Sequence, residues 1–248
     1  NEFIDKIIVD IEAANNSEIK SSLKSLHAAD IAELLEFLST DQRTYLLNQL
    51  DSDDYTDVLA ELDDSIIDQT VNSLQHEKVA KSISDMETDD AVGLIESLEP
   101  DTQKKILDKV SAEDREIFNE SLNYPEDTAG RRMQKEIVSM PSFWTVGQAI
   151  DYLRDEEELP EDFFELFIVD PSNKPLGSVS VSKVLRSNRK IRLNDITIES
   201  PIFIPADMDQ EEAAMLFEKY SLVSAGAVDK NGRLIGRLTA DDIMWVLQ

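Results

Sequence analysis

The sequence predicts an α plus α/β architecture, with an N-terminal superhelix of short α-helices followed by two tandem copies of a small α/β module. Three observations carry this. Apolar residues recur every 12 positions through the first half of the chain. Two stretches of the second half align at an offset of 59 residues. Between them, at Tyr124, the composition shifts toward β-rich runs such as Phe167-Ile168-Val169 and Ile202-Phe203-Ile204.

In the first part, Leu26, Leu38, Leu50, Leu62, Leu74, Met86, Leu98, Val110 and Leu122 stand 12 residues apart. Most follow an apolar residue by three or four places, as Leu34 and Leu35 precede Leu38 and as Val58 and Leu59 precede Leu62. Spacing of i, i+3 and i+4 places such residues on one helical face. Each repeat breaks at polar residues: Ser39-Thr40-Asp41, Asp51-Ser52-Asp53, Asp63-Asp64-Ser65, Glu99-Pro100-Asp101 and Ser111-Ala112-Glu113-Asp114. These are N-cap residues followed by first-turn carboxylates, where the helix dipole favours negative charge. A unit holding about two helical turns is too short to be stable alone, so the units must stack into an array. By itself the array is a scaffold and carries no chemistry.

In the second part, Phe167-Ile168-Val169-Asp170 through Gly177 to Ser180 aligns with Gly226-Ala227-Val228-Asp229 through Gly236 to Thr239. Each copy reads as a strand, a polar turn and a second strand, which is a hairpin. A helical pattern precedes each: Val146, Ala149, Ile150 and Leu153 in one, Ala213, Leu216 and Phe217 in the other. Another helix is predicted to follow, from Val184 and from Ile243.

The balance of 24 Lys and Arg against 52 Asp and Glu gives a formal charge of −28. Phosphate binding needs a basic surface, so nucleic acid is excluded as a partner and an anionic lipid leaflet is disfavoured. Cations, basic partners or plain solubility remain. The absence of Cys excludes disulfides, zinc–thiolate sites and thiol nucleophiles. No run of about 18 apolar residues is present to span a bilayer. The two histidines, His27 and His76, fall inside the helical array and read as structural, which makes an enzyme a poor expectation. Trp144 and Trp245 read as packing residues. The basic run Arg186, Arg189, Lys190, Arg192 reads as a linker facing acidic neighbours.

A strand ending in Val-Asp, a turn, then Gly236-Arg-Leu-Thr239-Ala-Asp-Asp242 leading into a helix resembles a CBS domain. The first copy is a weaker likeness, with Lys183 where the acid is expected. The join, Tyr124-Pro125-Glu126-Asp127-Thr128-Ala129-Gly130-Arg131-Arg132-Met133, resembles the segment that links a helical domain to a tandem CBS domain pair in the MgtE family of magnesium transporters. Met86-Glu87-Thr88-Asp89-Asp90-Ala91 and Asp207-Met208-Asp209-Gln210-Glu211-Glu212-Ala213 extend that likeness.

The resemblance implies a helical domain over residues 1–130, a first CBS domain over 131–190 and a second over 191–248. It also implies a homodimer through the CBS domains and a place on the cytoplasmic face of the membrane. A transmembrane pore domain is expected after Gln248, so this stretch is read as a soluble fragment of a longer chain. The implied activity is magnesium sensing: with Mg2+ bound, the helical domain docks on the CBS pair and the pore is held shut. The implied metal ligands are Asp89 paired with Asp242, then Asp209 and Glu211, and the backbone carbonyl at Arg131. Magnesium suits such groups because it prefers oxygen donors and retains several waters. Each acid taken singly reads rather as a solvated helix cap.

Three positions depart from the family pattern: Gly93, Ser221 and Trp245 stand where acids are expected. Two other functions stay open. One is an adenine-nucleotide sensor, binding ATP or a related nucleotide through Thr239 and Asp242. The other is a protein-interaction scaffold built on the stacked helices.

Overall fold

Twelve-residue spacing becomes geometry in the helical half. The computed structural model describes residues 2–160, 162–199, 201–244 and 246; Trp245 and Gln248 lie outside the described residues. The helices are α1 Glu2–Glu12, α2 Asn16–Leu23, α3 Ala28–Glu36, α4 Thr40–Leu47, α5 Ser52–Ala60, α6 Asp64–Ser73, α7 His76–Asp85, α8 Thr88–Glu96, α9 Pro100–Leu107 and α10 Ala112–Leu122. From Ala28 onward each begins 12 residues after the last.

The starts are set by caps. Ser39 and Gln42 form a capping box on α4, and the carboxylates of Asp51 and Asp63 accept backbone N–H groups of α5 and α6. His27 caps α3 through Nδ1, with Asp30 answering from the third position. Glu99 and Gln75 make no side-chain cap, and Pro100 opens α9 instead. His76 is the first residue of α7.

Many of the periodic apolar residues do not ride on a helical face. Leu38, Leu50, Leu62, Leu74, Met86 and Leu98 follow a helix end, and each N–H donates to the carbonyl three residues back. They close the last turn, as orphan terminal carbonyls require. The faces themselves are formed by Leu34 and Leu35, Leu46 and Leu47, Val58 and Leu59, and Leu94 and Ile95, all buried. Packing pairs several helices with the next but one, α3 with α5, α4 with α6, α5 with α7 and α7 with α9, while α6 also meets α7 and α9. Tyr55 is fully buried in this stack, and burial pushes its phenol up to about 12.

The second half holds α11 Ala129–Arg132, β1 Ser139–Pro141, α12 Val146–Asp155, β2 Glu165–Val169, β3 Pro175–Ser180, α13 Val181–Arg186, a 3-10 turn Leu193–Asp195, β4 Ile198–Glu199, β5 Ile204–Pro205, α14 Gln210–Tyr220, β6 Ser224–Val228, β7 Leu234–Thr239 and α15 Ala240–Met244. Two sheets form, in the orders β1-β2-β3-β4 and β5-β6-β7. In each, a parallel strand flanks an antiparallel hairpin, and the register shifts at equivalent places, Ile168/Val169 and Ala227/Val228. The helices after the hairpins begin at Val181 and Ala240, three residues before the expected starts, because Ser180 and Thr239 end a strand and open a helix at once.

The copies meet about a pseudo-twofold axis. Residues 59 apart touch: the Ser224 hydroxyl donates to Glu165 at 2.7 Å, and Phe167 fills the space left by the missing side chain of Gly226. The arms are exchanged. Ala129 and Met133, which precede the first copy, pack in the core of the second, while Leu193 and Ile196 pack in the core of the first. Two equivalent contacts hold them, Gly130 N–H to Ala206 O and Gly147 N–H to Arg189 O, both at 2.8 Å. By its contacts the chain divides into two units, residues 1–86 with 90–119, and residues 87–89 with 120–248.

The hairpin turns are tied by Asp170 and Asp229. The N–H of Arg233, aided by Asn231, holds the Asp229 carboxyl below its usual 3.8. A depressed acid stabilises the fold above its unfolded value, and that share is lost as pH falls through the folded value. Asp229→Asn should therefore flatten the decline in urea midpoint below pH 3.8, compared with the parent chain.

Candidate metal centre

Asp89 is the second residue of α8 and Asp242 the third of α15. The structure brings both to one side chain, that of Gln134. The backbone of Gln134 is fixed by a reciprocal pair with β7: its N–H donates to Arg237 O at 2.8 Å, and its carbonyl accepts from Arg237 N–H at 2.9 Å. Held there, the side chain is 3% exposed. Its Nε2 donates to Glu87 Oε2 at 3.0 Å and to Asp89 Oδ2 at 3.3 Å, and reaches Asp242 Oδ1 at 3.5 Å.

Neighbouring bonds hold the acids in place. Arg237 donates to Glu87 Oε1 at 3.2 Å and to the carbonyl of Asp162 at 2.9 Å. The N–H and hydroxyl of Thr88 donate to Glu136, at 3.2 and 2.7 Å, so a carboxylate caps the start of α8, where the dipole favours it. Asp242 Oδ2 accepts from the N–H and hydroxyl of Thr239, at 3.0 and 2.5 Å. One oxygen of Asp242 thus caps α15 while the other faces Gln134. All these residues belong to the second unit.

Three carboxylates, Glu87, Asp89 and Asp242, face the amide, and the Arg237 guanidinium pairs with the first of them. The donors are all oxygen, the set that a hard ion such as Mg2+ takes. Among the described residues no group of three or more His, Cys, Asp or Glu converges as a finished metal site. The acids stand around an amide nitrogen, which keeps their oxygens apart.

The other expected ligands gather elsewhere, around the start of α14. Asp209 is its N-cap, accepting the N–H groups of Glu211 and Glu212 at 2.9 and 3.3 Å, and Glu211 is exposed. Asp209 also bridges to Thr128, beside α11, and Arg131 lies in α11 with its N–H bonded to Thr128 O. Of the nucleotide candidates, Thr239 is buried and its hydroxyl bonds to Asp242. Their counterparts Ser180 and Lys183 make an ordinary helix cap.

Ser221 ends α14 in the left-handed region, φ 51°. Gly93 lies inside α8 with nothing within 4 Å of a Cβ built there, so the space for a side chain exists. Trp144 packs edge-on against Tyr152 in the first core, and Arg189 of the basic run pairs with both oxygens of Asp151 at 2.7 Å.

Sequence reasoning missed two members of the centre. Glu87 lay inside a run that carried the family likeness. Gln134, a neutral amide, gave no signal of charge or spacing.

Comparison with known proteins agrees with this architecture. Residues 26–127 match the model of the MgtE intracellular N domain, and residues 193–248 match that of the CBS domain. The magnesium transporter MgtE of Bacillus subtilis (strain 168) is 32% identical over 126 residues, 51% of this chain and 28% of that protein. The Thermus thermophilus transporter of the same name is 30% identical over 125 residues, 50% of this chain and 28% of that protein. The matched stretch is thus under a third of the length of either relative. In fold, the chain is similar to the crystal structure of the soluble part of a magnesium transporter, with TM-score 0.87 at 24% identity over 99% of this chain and 97% of that one. It is equally similar to the cytosolic domain of the Mg2+ channel MgtE in complex with ATP, with TM-score 0.87 at 23% identity over 96% and 99%. The two matches, an MgtE intracellular N domain and then a CBS domain, fall in the order that the sequence predicts.

Proposed function

We propose that this chain is the magnesium-sensing regulatory region of a magnesium transporter or channel, on the cytoplasmic face of the membrane. The supporting observation is the gathering of Asp89, from α8, and Asp242, from the end of the second CBS copy, at one buried side chain. Mg2+ held by these acids favours a closed state, in which the helical domain (residues 1–130) is docked on the CBS pair (131–190 and 191–248). The pore belongs to a transmembrane domain following Gln248 in the same chain, and the CBS pairs associate as a homodimer. Asp209, Glu211 and the Arg131 carbonyl are proposed as ligands of a further ion near α14.

The test is a Mg2+ titration of the 248-residue chain at fixed, high ionic strength, followed by small-angle scattering with Na+ as control. Fixed ionic strength separates binding from the general screening that compacts a chain of charge −28. Compaction specific to the divalent ion at about millimolar concentration, abolished in Asp89→Ala, is expected. Identical responses to Mg2+ and Na+ would remove the sensing reading. An adenine nucleotide is the second reading, favoured by the adjacency of Thr239 and Asp242. Both readings use Asp242, but only magnesium requires Asp89, so ATP binding that survives Asp89→Ala would separate them.

A further inference from the structure

We propose that Gln134 is itself a cation ligand, and that its amide turns over when the cation arrives. This rests on the reading of Asp89 and Asp242 as a cation site. The side chain is 3% exposed. Its nitrogen faces Glu87, Asp89 and Asp242, while its oxygen, Oε1, is buried and accepts no hydrogen bond from the described residues.

A buried carbonyl oxygen without a donor is costly and uncommon. Here it follows from the surroundings. Among three carboxylates only the N–H side of an amide is tolerated, so the oxygen is turned away from them, where no described residue donates to it. A divalent cation reverses both preferences. It repels the amide hydrogens, and it gives Oε1 the partner it lacks. Rotation of the amide by half a turn then completes an oxygen set of Glu87, Asp89, Asp242 and Gln134. Side-chain carbonyls are ordinary ligands of hard cations, alongside carboxylates and water. The nitrogen-in state holds the acids together when the ion is absent, and the oxygen-in state holds the ion. The turn needs no movement of the backbone, which is paired with Arg237 in both directions.

The experiment uses the whole 248-residue chain, with Mg2+ as the probe. In a 15N-labelled sample the Gln134 side-chain NH2 resonances, assigned by their absence in Gln134→Glu, should move on saturation as their bonds to carboxylates are lost. By calorimetry at fixed ionic strength, Gln134→Leu should weaken Mg2+ binding about tenfold. Gln134→Glu should tighten it, since a charged oxygen then replaces a neutral one and no hydrogens need to be displaced. If Mg2+ binds, and Asp89→Asn abolishes binding, yet the NH2 resonances stay in place, the amide does not turn over and this inference is overturned while the site reading stands. Tighter binding by Gln134→Leu also overturns it, because the amide is then only a competitor. No Mg2+ uptake by the parent chain overturns both.

Discussion

Phe167→Ala should lower the stability of the second unit by about 3–5 kcal/mol, the range for deleting a buried aromatic. Phe167 is 2% exposed, in the middle of β2. It reaches across the pseudo-twofold axis, where its ring lies 3.0 Å from the place a Cβ would occupy on Gly226. The strands around it are braced by their own hairpins, so the cavity cannot close by local collapse. Urea denaturation followed by circular dichroism should show the transition of the CBS pair moving to lower denaturant. No shift in midpoint would mean that the two copies do not share a core at this point.

Gly236→Ala should destabilise the same unit by about 1–3 kcal/mol, the usual effect of forcing a carbon into a packed core, and should also disable the candidate metal centre. The new Cβ would stand 2.6 Å from the carbonyl of Gln134 and 3.0 Å from the sulfur of Met133. The backbone oxygen cannot give way without breaking its bond from Arg237. Relief of the clash must lift the Gln134 backbone from β7 and carry the amide away from Asp89 and Asp242. Urea midpoints with and without Mg2+ separate the two effects. The midpoint falls in both, and the increment that Mg2+ gives the parent chain should be lost in the variant. An unchanged increment would show that the centre does not depend on the position of Gln134.

How much of this was legible in the sequence depended on how local each contact was. The 12-residue period foretold the helix starts, because caps such as Ser39 and Asp51 act within three residues of themselves. The two hairpins were legible from matched Val-Asp and Gly positions at an offset of 59. The exchange of arms was not, because Met133 packs against residues such as Phe217 and Leu238 that are distant in sequence. Asp89 and Asp242 are 153 positions apart in the chain, and only the family likeness paired them. Nothing local distinguishes Gln134 from any surface glutamine. Its role comes from the bridge to Arg237, a contact of a kind that propensity and periodicity do not encode.

The pairing of α3 with α5, α4 with α6, α5 with α7 and α7 with α9 has a consequence for how such an array can lengthen or shorten. Its alphabet repeats every 12 residues, yet its grammar repeats every 24. Removing one 12-residue word would exchange the partners of the helices after it, so that α5 would stand where α4 had packed on α6. Removing or copying two words together keeps every helix in its own row. The array is therefore a sentence that tolerates editing by pairs, and a single word lost from its middle leaves the remainder out of phase.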